Sequence, residues 1–196
     1  MTGATEPRIT PRSIFKSGSQ THGRMRVNPK HLIKRLMTAI FTLPWVQRRW
    51  ARNYRAVRME DIPWARLSKP LSQCRVALVT SGGVLLRSDP PFIMADPDGD
   101  PSHRVIPSDT APEALHIVHD YYDHKDADRD VNVVLPLGAL RGLAAEGVIG
   151  GVGPRHYSLM GHIQGAHLTT LRERTAPEVA RLLARDGVDV VLFTPA

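Results

Sequence analysis

Two short apolar runs constrain this chain more than any other feature. They are Val76–Thr80, followed at once by Ser81-Gly82-Gly83, and Val188–Phe193. A short, continuous apolar run bounded by turn residues reads as a strand covered on both faces. Strands of that kind belong to parallel sheets packed between helices. The intervening patterns agree. Leu137–Glu146 has helical spacing and runs into Gly147, a fitting C-cap. Thr175 precedes Pro177 and Glu178 as a helix N-cap would, and Gly187 closes that helix just before the second apolar run. Leu115–His119 and Val131–Leu135 read as two further strands. Strands alternating with helices predict an α/β domain over residues 70–196, with an open, largely parallel sheet and flanking helices. Residues 87–112, rich in Asp, Pro, Ser and Gly, are expected to form a long loop that is functional or disordered.

The chain ahead of this domain has another texture. Residues 1–70 hold 15 Lys and Arg against 3 acids, and residues 71–196 hold 11 against 16. A segment of +12 thus precedes a domain of −5, and the 196-residue chain totals +7. Residues 1–28 have too few apolar side chains to offset their ordering entropy and are expected to be a disordered tail. Residues 29–69 are predicted to form a basic helical arm. In it Leu32, Ile33, Leu36, Met37 and Ile40 recur at helical spacing, and Trp45, Arg48, Arg49, Trp50 and Arg52 follow Pro44. Such an arm suits an acidic partner, nucleic acid or the acidic domain of its own chain. No nucleic-acid motif accompanies it, so nucleic acid is not expected. No run approaches the roughly 18 apolar residues of a membrane span, and the N-terminus lacks a signal-peptide pattern. The expected location is therefore the cytoplasm, with no membrane partner. The single cysteine, Cys74, excludes a disulfide framework and a CxxC pair within the chain. Placed just before a strand, it reads as a buried structural thiol.

Candidate chemistry collects in the second half, where seven of the nine histidines lie. His116, His119, Asp120, Asp123 and His124 have the right donor atoms for a divalent metal. Positions 116 and 119 of one strand face opposite sides, however, so no metal is expected. Asp123, Asp126, Asp128, Asp130 and Asn132 resemble the start of a calcium loop. The pattern breaks at Val133 and lacks a bidentate Glu, so a solvated turn is expected. Ser81-Gly82-Gly83 offers backbone amides to an anion, although no GxGxxG follows. The glycines 147, 150, 151 and 153 read as a turn.

Taken in order, a set of motifs resembles the selenoprotein B family of glycine, sarcosine, betaine and D-proline reductases. The set is Trp64, Cys74-Arg-Val-Ala-Leu-Val-Thr-Ser-Gly-Gly-Val84, Gly99-Asp-Pro-Ser-His-Arg104-Val-Ile-Pro107, His116, His119-Asp-Tyr-Tyr-Asp123, Asp126-Ala-Asp128-Arg-Asp130-Val-Asn132, Glu146-Gly-Val-Ile-Gly150 and Gly187-Val-Asp-Val-Val191. The resemblance spans residues 44–196. It implies an oxidoreductase subunit that reductively cleaves a C–N bond of a small amino-acid-like substrate, working with the other subunits of a reductase complex. It implies no bound cofactor. The family's redox centre, a selenocysteine or cysteine, follows the strand that here reads Val188–Phe193, which places it just after Ala196. The sequence stops there, so the expectation is a reading frame cut at a selenocysteine codon. The resemblance puts Ser81, Gly82, Gly83, Asp100, Ser102, Arg104, His116 and Asp123 at the substrate. Arg104 would pair with a carboxylate, and His119 would be the catalytic proton donor to the leaving amine. Two other functions stay open: a non-catalytic interaction protein acting through its basic arm, and a metal-dependent hydrolase using the His/Asp cluster.

Overall fold

The computed structural model describes Ile40, residues 43–53 and residues 65–196. The expected tail, most of the first arm helix and Trp64 lie outside the described residues. Helix α1 (Pro44–Asn53) carries Arg48, Arg49 and Arg52 and buries no residue, leaving Trp45 62% and Trp50 53% exposed. The remaining elements run β1 (Arg75–Thr80), β2 (Val84–Leu86), β3 (His103–Pro107), β4 (Leu115–Ile117), α2 (Lys125–Arg129), α3 (Leu137–Ala145), β5 (Gly151–Val152), β6 (Arg155–Leu159), α4 (Gly165–Thr170), α5 (Ala176–Arg185) and β7 (Val190–Thr194).

The first apolar run forms the central strand of a mixed α/β fold. Val76 pairs with both Val152 and Val190, and Val79 with both Tyr157 and Phe193, all in parallel register. A strand residue has one neighbour on each flank. So β7 lies on one flank of β1, and β5 and β6 share the other. β3 joins antiparallel outside β6. Successive residues of β1 point to opposite faces. Val76 and Leu78 pack with Ile106, Leu135, Leu137 and Leu140 under α3. Ala77 and Val79 pack with Tyr157, Val179 and Leu183 under α5. Each such large side chain contributes about 1.5–3 kcal/mol when fully buried.

Several expectations are corrected. Residues 131–135 are not a strand: Val131–Val133 is a 3-10 turn. Asp130 Oδ1 accepts from the Asn132 N–H at 3.0 Å, and Asn132 Oδ1 accepts from the Gly138 N–H at 2.9 Å, which folds the chain into the start of α3. Thr175 is no N-cap. It is buried with helical φ −66° and ψ −49°, because α4 continues through a π-helical turn (Leu171–Thr175) straight into α5. The segment 87–112 is not one loop, since it contains β3. The predicted strand at Leu115–His119 stops at Ile117 and pairs antiparallel with β2 in a sheet of its own. β7 is not covered on both faces: Leu192 is 47% and Phe193 69% exposed. Gly147 and Gly187 do end their helices, at φ 73° and 66°.

Candidate functional site

The carboxyl ends of β1 and β7 lie side by side, the usual place for a ligand in an α/β sheet. The Ser81 N–H and Thr80 Oγ1 both donate to the Thr194 carbonyl at 3.1 Å. The Ala196 N–H then donates to Ser81 Oγ at 3.1 Å. The turn itself uses its amides inward. Gly82 N–H goes to Thr80 Oγ1 at 3.0 Å, and Gly83 N–H goes to the Leu159 carbonyl at 3.0 Å. The amides of residues 81–83 therefore form no anion cradle, and the turn acts by shape. Gly83 has φ 66°, and a Cβ there would meet the Val118 carbonyl at 2.6 Å and His119 Cβ at 3.1 Å. Only glycine lets the segment carrying His119 lie this close.

His119 is 4% exposed. The Tyr121 N–H approaches its Nδ1 and the Gly161 N–H its Nε2, each at 3.1 Å. Burial, with His124 and His162 acting in the same direction against Asp120, pushes its pKa down to about 4. Tyr122 stands edge-on to the ring at 4.7 Å and donates its hydroxyl to the Gly82 carbonyl at 2.9 Å. Burial raises that phenol to about 12. Tyr121 stacks on His162 at 3.9 Å and 15°. A Cβ on Gly161 would sit 3.1 Å from both His119 Nε2 and the Ser81 carbonyl, and 3.5 Å from the Ala196 carbonyl. Ser81, His119, Gly161 and Ala196 thus converge on one notch. Beside it, Ser81, Gly161 and Thr194 edge an open groove of about 1010 Å³ that runs between the sheet and α5 and is lined mostly by apolar residues such as Leu168, Leu183 and Phe193. None of the described residues lining that groove is charged.

The other expected site residues lie elsewhere. Asp100 is 3% exposed and accepts from the Ile93 N–H, the Ser102 N–H and the Ser102 hydroxyl at 2.5–2.9 Å. Burial works to raise its pKa, but these hydrogen bonds, with Arg104 nearby, prevail and hold the carboxyl below its usual range. Arg104 donates to the carbonyls of Pro90, Pro91 and His103 and to Ser102 Oγ, and its guanidinium lies 4.2 Å over the Phe92 ring. Its donors close the 90–104 segment and are not presented to a substrate carboxylate. Asp100→Ala is expected to cost about 3 kcal/mol, because it leaves the Ile93 and Ser102 N–H groups and the Ser102 hydroxyl without their shared acceptor. An unfolding midpoint within error of the parent would refute this.

His116 lies in β4, in a separate pocket of about 330 Å³ with Arg87, Glu113 and Asp128. Asp123 is exposed and tied to Lys125, which holds its carboxyl low. His124 pairs with Asp128 at 2.8 Å. Among the described residues, no group of three or more His, Cys, Asp or Glu is placed to hold a metal ion. Cys74 is fully buried at the opposite end of β1, its Sγ 3.4 Å from the Pro70 carbonyl. Sequence reasoning missed Gly161, His162 and the Tyr121 stack. Nothing local marks them, because Gly161-His162 follows the mixed-polarity strand Arg155–Leu159.

These features sit on an α/β fold, and the chain matches the family of glycine/sarcosine/betaine reductase selenoprotein B over residues 32–196 and belongs to it. Among its relatives is the D-proline reductase subunit gamma of Acetoanaerobium sticklandii, 39% identical over 131 residues, which are 67% of this chain and 52% of that protein. Another is the betaine reductase complex component B subunit beta of Peptoclostridium acidaminophilum, 35% identical over 133 residues, 64% of this chain and 29% of that protein. A third is the glycine reductase complex component B subunit gamma of Symbiobacterium thermophilum, 32% identical over 128 residues, with coverage of 64% and 29%. The chain therefore spans about half the length of the first relative and under a third of the others. No solved structure matches it. Among the described residues, no helix is long and apolar enough to cross a membrane.

Proposed function

We propose that this chain forms part of the selenoprotein B subunit of an amino-acid reductase complex, and that the redox residue follows Ala196 directly. The observation that carries this reading is the position of Ala196. It lies at the carboxyl end of a parallel strand, hydrogen-bonded to Ser81 and beside Gly161 and the buried His119. A selenolate or thiolate there would supply the nucleophile for reductive cleavage of a substrate C–N bond. The chain's own residues prepare the place. Ser81 orients the backbone at Ala196, and Gly161 keeps the space open. His119 is neutral near pH 7, and an anion beside it would raise its pKa. The ring could then hold a proton beside the leaving amine and release it as the C–N bond breaks. The uncharged groove and the uncovered Phe193 suit contact with other subunits of the complex.

The nucleotide sequence after the Ala196 codon tests this. An in-frame TGA or cysteine codon, followed by a frame that continues the family's sequence, is the expected result. A TAA or TAG, or an unrelated frame, overturns it.

A further inference from the structure

Helix α1 carries a face that the reductase reading leaves unused. Trp45, Arg48, Arg49 and Arg52 stand at i, i+3, i+4 and i+7, so their side chains share one face of the helix. A packed helix gives that spacing to its apolar stripe. Here an indole shares it with three guanidinium groups, and together with Asn53 they line a concavity of about 350 Å³. α1 buries no residue, so none of these side chains is used in packing. The Trp45 indole is 62% exposed. Arg48 Nε donates to the Pro44 carbonyl at 3.2 Å, which holds that guanidinium over the first turn. Arg48 with Arg52, and Arg49 with Arg52, are like-charge pairs at helical contact spacing, which oppose the free helix and are relieved by an anion. The helix contains no acid, and neither does the sequence around it: residues 7–59 hold 13 Lys and Arg and no Asp or Glu.

We propose that this face of α1 binds single-stranded nucleic acid, with an unpaired base stacked on Trp45 and successive phosphates on Arg48, Arg49 and Arg52. Aromatic rings set among cations hold single strands without sequence preference, and such a platform needs no sequence motif. Arg48 and Arg52 lie about 6 Å apart along the helix axis, so they reach separate phosphates. Guanidinium groups pair bidentately with phosphate oxygens. The acid-free stretch supplies cations for a polyanion longer than one nucleotide. Two other polyanions fit less well. A helix lying on an anionic bilayer keeps its aromatic side chains on the face opposite the cations, whereas Trp45 stands among them. An acidic polypeptide would pair with the arginines and leave the indole exposed. The domain of residues 70–196 takes no part, so the inference is independent of the reductase reading.

The test uses the full 196-residue chain and a fluorescein-labelled oligothymidylate of about 12 nucleotides, within the usual span of single-strand sites. Fluorescence anisotropy follows binding from about 50 to 200 mM salt. The expected result is saturable binding whose log K falls with log salt at a slope of about −2 or steeper, as three single-strand phosphates require. Trp45→Ala should weaken binding about tenfold with the slope unchanged, and Trp45→Phe should keep most of the affinity. Arg52→Gln should make the slope shallower by about 0.7. Because α1 buries no residue, all three variants should unfold at the parent's midpoint. Polyglutamate of the same charge, and vesicles of phosphatidylserine and phosphatidylcholine in equal parts, should bind about tenfold more weakly than the single strand, since neither offers a base to the indole. Three results overturn the proposal: no binding of the oligothymidylate at low salt, binding that Trp45→Ala leaves unchanged, or polyglutamate or vesicles bound as tightly as the single strand.

Discussion

Lowering the pH from 7.5 to 5 is expected to remove about 4 kcal/mol of stability, well before the hydrogen-bonded carboxylates protonate. Two histidines cause this. Burial pushes His119 and His156 each from the usual 6.5 to about 4. His156 is fully buried, and its Nδ1 accepts from the Leu78 N–H of the central strand at 2.9 Å. That bond fixes its hydrogen on Nε2, which is buried without a protein partner. In the unfolded chain both rings take up a proton as the pH falls through 6.5, while the folded chain resists until about 4. Folded pKa values below the unfolded ones mean that stability is complete above 6.5 and falls as the pH drops. The loss is about 2 kcal/mol per ring by pH 5 and approaches about 3 near pH 4. His103, also lowered chiefly by burial, adds in the same direction. Against a usual total of about 5–15 kcal/mol, this is a large fraction. Urea unfolding at pH 7.5, 6 and 5 measures it, and His156→Gln should remove about half of the drop. Midpoints that stay level across that range would show that neither ring is held neutral.

What the sequence made legible follows from where the information sat. β1 and β7 were readable because a run such as Val76–Thr80 has one physical use, and Gly147 and Gly187 were readable because helices end there for local reasons. β2, β3, β5 and β6 were not. They are short or carry polar residues such as His156, Ser158 and Arg104, whose burial is decided by neighbours distant in sequence. The π-helical turn before α5 hid in the same way: Thr175 and Pro177 form a good local cap pattern, and only packing carries the helix through it. At the site, His119 and Ser81 came from the motif resemblance. Arg104 also came from the resemblance, with its carboxylate pairing inferred from its charge, but the structure engages its donors with the carbonyls of Pro90, Pro91 and His103. Gly161 could not be found from sequence. Its importance lies in what a Cβ would touch, and that depends on three segments meeting.

Gly99→Ala is expected to be the most damaging glycine-to-alanine change among the described residues. Gly99 has φ 88°, and a Cβ there would lie 1.7 Å from the His162 carbonyl oxygen and 2.8 Å from its carbon. Those are backbone atoms and cannot rotate away. Around this point two loops are stapled together. Gly99 bridges Ile163, the Gln164 N–H donates to the Asp98 carbonyl at 2.8 Å, and Asp96 meets His167 at 3.0 Å. Relief of the clash must separate the loops and carry His162 with it. His162 stacks on Tyr121 and adjoins Gly161, so the notch moves as well. Gly147→Ala is the matched control, since Gly147 has φ 73° with nothing within 4 Å of a Cβ. Both variants incur the same left-handed strain, on the order of 1 kcal/mol. Only Gly99→Ala adds a backbone collision, and its total is expected to be on the order of 3 kcal/mol or more. Equal unfolding midpoints for the two variants would mean that the loops are not held together as described. A lower midpoint for Gly99→Ala, with displaced His119 ring resonances at temperatures where it remains folded, would show that Gly99, acting through His162, sets the geometry of the site.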